Sequence, residues 1–229
     1  MVQKSHTSSD MPTRRPGRPR AFEAETALTR AMDAFWKDGF AATSLDDLSA
    51  ATGLNRPSLY GAFGDKRALY AQAYRRYREH VREAFAPLFA ERAPLRDKLR
   101  RILLAALDLY LSGEEGPRGC FTVLSASSDA VSDPEIRKIV GEAIDNMDRA
   151  FERLFEAARA AGELSADADP RRLALMTSAT IHTLSIRARA RIPRAEIEPI
   201  VDDAVQTICG PARRRKAARG ATEKGGTVE

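Results

Sequence analysis

Residues 44–63, SLDDLSAATGLNRPSLYGAF, are patterned as two short helices joined by a tight turn. Leu45 and Leu48 share one face of the first, and Leu54, Leu59, Ala62 and Phe63 mark the apolar side of the second. Ser44 can cap the first helix, and Asp47 stands three residues on, close to a capping-box arrangement. Gly53 fits a turn that needs a positive φ, and Ser49 is small where the helices would cross. Pro57 suits the first turn of a helix, where its missing N–H costs nothing. Two helices arranged this way form a helix-turn-helix, whose second helix is shaped to enter the DNA major groove.

The same signals, read along the chain, predict helices on both sides of this motif. Leu28, Ala31, Met32 and Phe35 follow helical spacing in a first helix that Gly39 ends. Gly64 and Asp65 stop the recognition helix and cap a long fourth one over about 66–88, with Pro87 and Pro94 bracketing a break. Leu95, Leu99, Ile102, Leu103, Ala106, Leu107 and Tyr110 stripe a fifth helix that ends at Ser112-Gly113. Gly116-Pro117 opens a shorter sixth, over roughly 120–130. Asp133-Pro134 and Asp169-Pro170 are N-cap and first-turn pairs that start the seventh and eighth, and Pro193 precedes a last helix over 197–208. No strand pattern is present, so the expectation is an all-α chain of nine helices.

Charge is placed unevenly. Of the net +5, residues 1–20 carry +4 and residues 211–229 carry another +4, which leaves the middle slightly acidic. Both ends read as disordered basic segments. No run of apolar residues is long enough to span a bilayer, and residues 1–20 lack the apolar core of a secretory leader. Cys120 and Cys209 are too few for a disulfide scaffold. These features predict a cytoplasmic protein with no membrane association. The three histidines, His6, His80 and His182, are too scattered to suggest a metal site, and no cofactor motif occurs. An enzyme would need a convergent catalytic set, and the sequence offers no nucleophile–base pair, phosphate loop or metal spacing.

Residues 17–70, GRPRAFEAETALTRAMDAFWKDGFAATSLDDLSAATGLNRPSLYGAFGDKRALY, resemble the DNA-binding domain of the TetR/AcrR family of bacterial transcriptional regulators. The likeness rests on the aromatic-x-x-Gly-aromatic end of the first helix within 35–40, on Thr43-Ser44 before the second, and on Ser58-Leu59-Tyr60-x-x-Phe63 followed by Lys66. Ser49, Pro57 and Ala62 depart from the residues usual in that family. The resemblance implies an all-α dimer with the TetR-like fold, three N-terminal helices on DNA and a larger, divergent ligand-sensing domain. Applied to this chain, that layout gives a basic arm over 1–20, a DNA-binding domain over 21–66, a sensing and dimerisation domain over 67–210, and a basic tail over 211–229.

Within that layout the DNA site divides by chemistry. Phosphate contacts give affinity and register, whereas base-edge contacts give sequence choice. Thr43 or Ser44, opening the second helix, can offer hydroxyl and N–H groups to a phosphate. The resemblance assigns phosphate contacts to Tyr60 and Lys66. Asn55, Arg56, Pro57 and Ser58 begin the recognition helix, and Arg and Asn are the side chains that read guanine and adenine edges. Arg14, Arg15, Arg18 and Arg20 flank a Gly-Arg-Pro core that is similar to an AT-hook, an extended strip suited to a narrow minor groove.

A single recognition helix reads only a few base pairs, so a homodimer on palindromic double-stranded DNA is expected, joined through the last two helices. The partner that controls it is expected to be an unidentified small-molecule effector in a pocket drawn from Leu103, Leu107, Tyr110, Cys120, Phe121, Leu124, Met147, Phe151, Met176, Thr180 and His182. Repression is the mode the resemblance implies. Two alternatives stay open: a thiol-based sensor of oxidants or electrophiles through Cys120, and a non-specific architectural DNA-binding protein, which would explain the basic ends but not the large apolar C-terminal region.

Overall fold

A computed structural model describes residues 20–113 and 115–210, with side chains from Ala24 onward. All regular structure among these residues is helical, in ten helices: α1 (Arg20–Ala42), α2 (Leu45–Thr52), α3 (Arg56–Phe63), α4 (Lys66–Ala90), α5 (Leu95–Leu111), α6 (Phe121–Ser127), α7 (Asp129–Ser132), α8 (Pro134–Ala160), α9 (Pro170–Arg189) and α10 (Arg194–Cys209). None of them is long and apolar enough to cross a membrane. Arm residues 1–19 and tail residues 211–229 lie outside the described residues.

Ten helices stand where nine were expected because the sixth is broken in two. Ser128 leaves helical geometry, at φ −123° and ψ −68°, and separates α6 from the single turn of α7. The Ser125, Ser127 and Ser128 hydroxyls all donate to main-chain carbonyls, of Phe121 at 2.8 Å and of Leu124 at 3.0 and 2.9 Å. Such side-chain bonds compete with the helical ladder. A second difference lies in α4, which continues past Pro87 to Ala90. A proline this close to a helix end gives up one ladder bond in an exposed turn. Gly39, at φ 82°, does interrupt helical geometry near the end of α1.

The chain divides into two compact units, one up to His80 and one from Val81. In the first, α1, α2, α3 and the first part of α4 surround an aromatic core. Phe35 and Tyr70 are fully buried, with ring centroids 4.9 Å apart edge to face. Phe40 meets the same tyrosine at 5.3 Å, and Trp36 meets Tyr77 at 4.8 Å. Burying one such ring stabilises by about 1.5–3 kcal/mol.

In the second unit α8 packs along α9, and α5 lies against α9 and α10. Leu99, Ile102, Leu103 and Leu107 of α5, Phe151 and Phe155 of α8, and Ile197 and Val201 of α10 are buried to within 1 % exposure. The Asp133-Pro134 and Asp169-Pro170 pairs start α8 and α9 as their spacing predicts, each aspartate accepting two main-chain N–H groups of the first turn.

Candidate nucleic-acid interface

The motif is built by caps at both ends of both short helices. The Ser44 hydroxyl accepts the Asp47 N–H at 3.1 Å, while Asp47 accepts the Ser44 N–H at 2.8 Å and the Ser44 hydroxyl at 2.6 Å. This is a closed capping box. The hydroxyl of Ser44 first, then its N–H, holds the Asp47 carboxyl below its ordinary pKa of 3.8. Gly53 takes the left-handed conformation at φ 74°, and its N–H closes α2 on the Ser49 carbonyl. Asn55 then caps α3, its Oδ1 accepting the Ser58 N–H at 2.9 Å.

Leu59 and Phe63 are buried and fix the inner face of α3. Asn55, Arg56, Pro57, Ser58, Tyr60, Gly61 and Ala62 all face solvent. Tyr60 is 47 % exposed, one of the few large aromatic or aliphatic side chains on the surface. Gln72 of α4 ties the end of α3 in place by donating to the Phe63 carbonyl at 2.9 Å. Asp65 accepts the Ala68 N–H and caps α4, which begins at Lys66. The Lys66 ammonium sits 4.4 Å over the Phe40 ring and acts electrostatically on Asp47, which brings it beside the start of α2.

The DNA candidates named from sequence, Lys66 aside, therefore fall into four groups. Arg56, Ser58 and Tyr60 are all exposed on α3, with Pro57 in its first turn. Asn55 and Ser44 are exposed, yet the side-chain oxygen of each is engaged in a cap, a role the sequence showed for Ser44 but not for Asn55. Thr43 is 1 % exposed and donates its hydroxyl inward to the Gly39 carbonyl at 2.6 Å, which turns that hydroxyl away from the surface. Arg14, Arg15 and Arg18 lie outside the described residues, and of Arg20 only the backbone is described, as the first residue of α1.

Asp46 is a residue the sequence reading missed. Its Oδ1 accepts Arg56 Nη2 at 2.7 Å and Nε at 3.1 Å, on a surface where both side chains are more than half exposed. The bond steers the Arg56 guanidinium across from α3 to α2. Ten residues separate the pair, and no helical spacing links them, so only the fold brings them together. Ser49 adds a further detail: its hydroxyl is buried with no hydrogen-bond partner among the described residues.

In the second unit, the residues named for an effector pocket are dispersed. Leu103, Leu107, Phe121 and Phe151 are closed into the core, and Leu124, Met147 and Thr180 are half-buried. Met176 is 47 % exposed on α9. Tyr110 is buried, with burial first and its Cys120 neighbour second pushing the phenol well above its ordinary pKa of 10. The Cys120 thiol lies beside that phenol, and the Cys120 N–H donates to the Ser185 hydroxyl at 2.7 Å. Burial pulls His182 below its usual value of 6.5, opposed by the charge of Asp148. An open cavity of about 320 Å³ lies elsewhere, lined by Phe89, Lys98, Ala150, Arg153, Leu154 and Ala157.

Comparison with known proteins gives two family matches. Residues 27–73 match the family described as bacterial regulatory proteins, tetR family, and residues 95–200 match the tetracyclin repressor-like C-terminal domain. The HTH-type transcriptional repressor ComR of Escherichia coli (strain K12) is 30% identical over 174 residues, covering 76% of this chain and 82% of that protein. Among solved structures, a cysteine mutant of the TetR family transcriptional regulator CifR, complexed with 26bp double-strand operator DNA, is 32% identical with a TM-score of 0.74. That alignment covers 83% of this chain and 98% of the other. A TetR transcriptional regulator from Chloroflexus aurantiacus J-10-FL is 26% identical with a TM-score of 0.70, over 82% of this chain and 93% of that one.

Proposed function

The chain belongs to the TetR family of bacterial transcriptional regulators, and from that premise we propose that it is a repressor, bound to a palindromic operator as a homodimer and released by a small molecule. The observation that carries this reading is the two-sidedness of α3. Leu59 and Phe63 anchor the helix in the core, while Arg56, Ser58 and Tyr60 stand out from it. A helix held so rigidly, with polar side chains in its first turns, is what major-groove reading requires.

In this reading Arg56 is the base-edge reader. Its competitor before binding is Asp46, an exposed carboxylate whose attraction is weak in water and salt. Guanine N7 and O6 can take over both donors of the fork. Tyr60 and Lys66 hold phosphates on either side, with the Asn55 cap keeping the first turn of α3 in register. The N–H groups of Leu45 and Asp46, which open α2, have no acceptor among the described residues and can take a phosphate oxygen. The arginines of the arm add affinity and salt dependence from the minor groove.

Homodimerisation through α9 and α10 is supported by apolar side chains left on the surface of α9. Leu175 and Met176 are 45% and 47% exposed, and Ile186 is 57% exposed. A twofold pairing would cover them. Release by a small molecule is preferred to thiol sensing, because Cys120 is only 9% exposed.

Selection of genomic fragments with the purified protein tests the reading. Recovered fragments should share a palindrome with half-sites one helical turn apart, or a multiple of it. Equal retention of all fragments at fixed salt would instead mark an architectural DNA-binding protein.

A further inference from the structure

The cavity of about 320 Å³ in the second unit has a composition that specifies a ligand. Its floor is apolar: Phe89 from the last turn of α4, and Ala150, Leu154 and Ala157 from one stripe of α8. The two alanines open the recess, because larger residues at those positions of the stripe would fill it. Phe89 is not loose, since its ring packs 5.3 Å from that of the buried Phe151. The remaining two lining residues are cations, Lys98 of α5 and Arg153 of α8, and no acid lines the cavity.

Lys98 differs from its arginine neighbours on the same helix. On α5, Arg100 is paired with Asp202 at 2.7 Å, Arg101 with Glu91 at 2.9 Å, and Arg96 donates to the Gly210 carbonyl. The Lys98 ammonium and the Arg153 guanidinium have no ion pair or side-chain hydrogen bond among the described residues. Their positive charge is therefore available over an apolar recess whose volume lies at the small end of the range of about 300–1,000 Å³ typical of ligand sites.

Taking as given the reading of a small-molecule-released regulator, we propose that this recess is the effector site and that the effector is an amphipathic monoanion, a medium-chain carboxylate. Its chain lies over Phe89, Leu154 and the two alanines, and its carboxylate is held between Lys98 and Arg153. Arg can take a carboxylate in two parallel hydrogen bonds, and Lys adds a point charge. Charge excludes the most available internal occupant, because residues 211–229 carry +4 and would be repelled by the same two cations. Pro87 makes the end of α4 a responsive place to bind: it removes one ladder bond just before Phe89, in a helix that continues back to Lys66.

The test is calorimetric titration of the full-length protein with sodium decanoate, below its micellar concentration, and with uncharged decanamide. Decanoate should bind, and K98Q/R153Q should weaken it about tenfold or more while leaving decanamide binding unchanged. Ala157→Trp, which fills the recess from an exposed position, should abolish binding of both, and each variant should melt with the parent. Decanoate should also release the parent, but not K98Q/R153Q, from the selected operator. Absence of decanoate binding to the parent overturns the proposal, as does equal affinity in K98Q/R153Q or binding that leaves the operator complex intact. In each of those cases operator binding by the parent preserves the regulator reading. A parent that selects no operator overturns that reading independently of the titration.

Discussion

The short helices of the first unit are bounded by partners three or four residues away: Ser44 with Asp47, Gly53 with Ser49, Asn55 with Ser58. The second unit adds to its local caps partners far along the chain. The Leu95 N–H donates to Glu163, the Cys120 N–H to Ser185, and Arg96 to the carbonyl of Gly210. Local closure makes α2 and α3 a stiff pair whose shape depends little on its surroundings. Distant closure makes the shape of the second unit depend on how its helices pack together.

The largest expected effect removes what the local caps cannot supply. Phe35→Ala should cost about 3–5 kcal/mol in denaturant unfolding, because Phe35 is fully buried against Tyr70. A loss below 1 kcal/mol would mean that the caps alone hold the motif. Next, Arg56→Ala should cost about 1–3 kcal/mol in operator affinity and relax preference at one base position per half-site. Melting should be unchanged, since the exposed pair with Asp46 contributes at most about 1 kcal/mol. If affinity falls equally for every sequence, Arg56 is a phosphate contact instead.

How far the fold could be read in advance follows the range of each contact and the residue type that makes it, not the unit it lies in. The capping box at Ser44, the turn at Gly53 and the starts of α8 and α9 were legible because each is a short-range stereochemical requirement met by one residue type. The break at Ser128 was not, since no glycine or proline marks it and three serine hydroxyls accomplish it together. Pro87 misled in the opposite direction, because position near a helix end decides its cost. The Arg56–Asp46 pair and the recess at Lys98 and Arg153 join residues from different helices, and neither charge pattern nor periodicity points to them.

A smaller effect probes the local closure itself. Ser44→Ala should destabilise by about 1 kcal/mol, and it should shrink an acid-sensitive step, because only the residue-44 N–H is left to hold the Asp47 carboxylate. The Asp47 pKa is lowered in the fold, so its contribution is complete above the ordinary carboxylate value of 3.8 and is lost as pH falls through the lowered one. The acid transition followed by circular dichroism should therefore be smaller in the variant, and identical titrations would refute the box as a charge-assisted clasp. Smallest of all, Ser49→Ala should leave stability unchanged or raise it by up to about 1 kcal/mol, because it removes a buried hydroxyl without a partner among the described residues. Destabilisation on thermal melting would reveal a partner for that hydroxyl.

The claim on which the rest depends is that the outer face of α3 enters the major groove twice, in a twofold pair. Hydroxyl-radical footprinting on the selected operator measures this directly. The account predicts two protected patches related by twofold symmetry, their centres about 10 base pairs or a multiple apart, both lost in Arg56→Ala/Tyr60→Ala while the protein remains folded. One continuous protected stretch, or two patches that survive that double substitution, would contradict it.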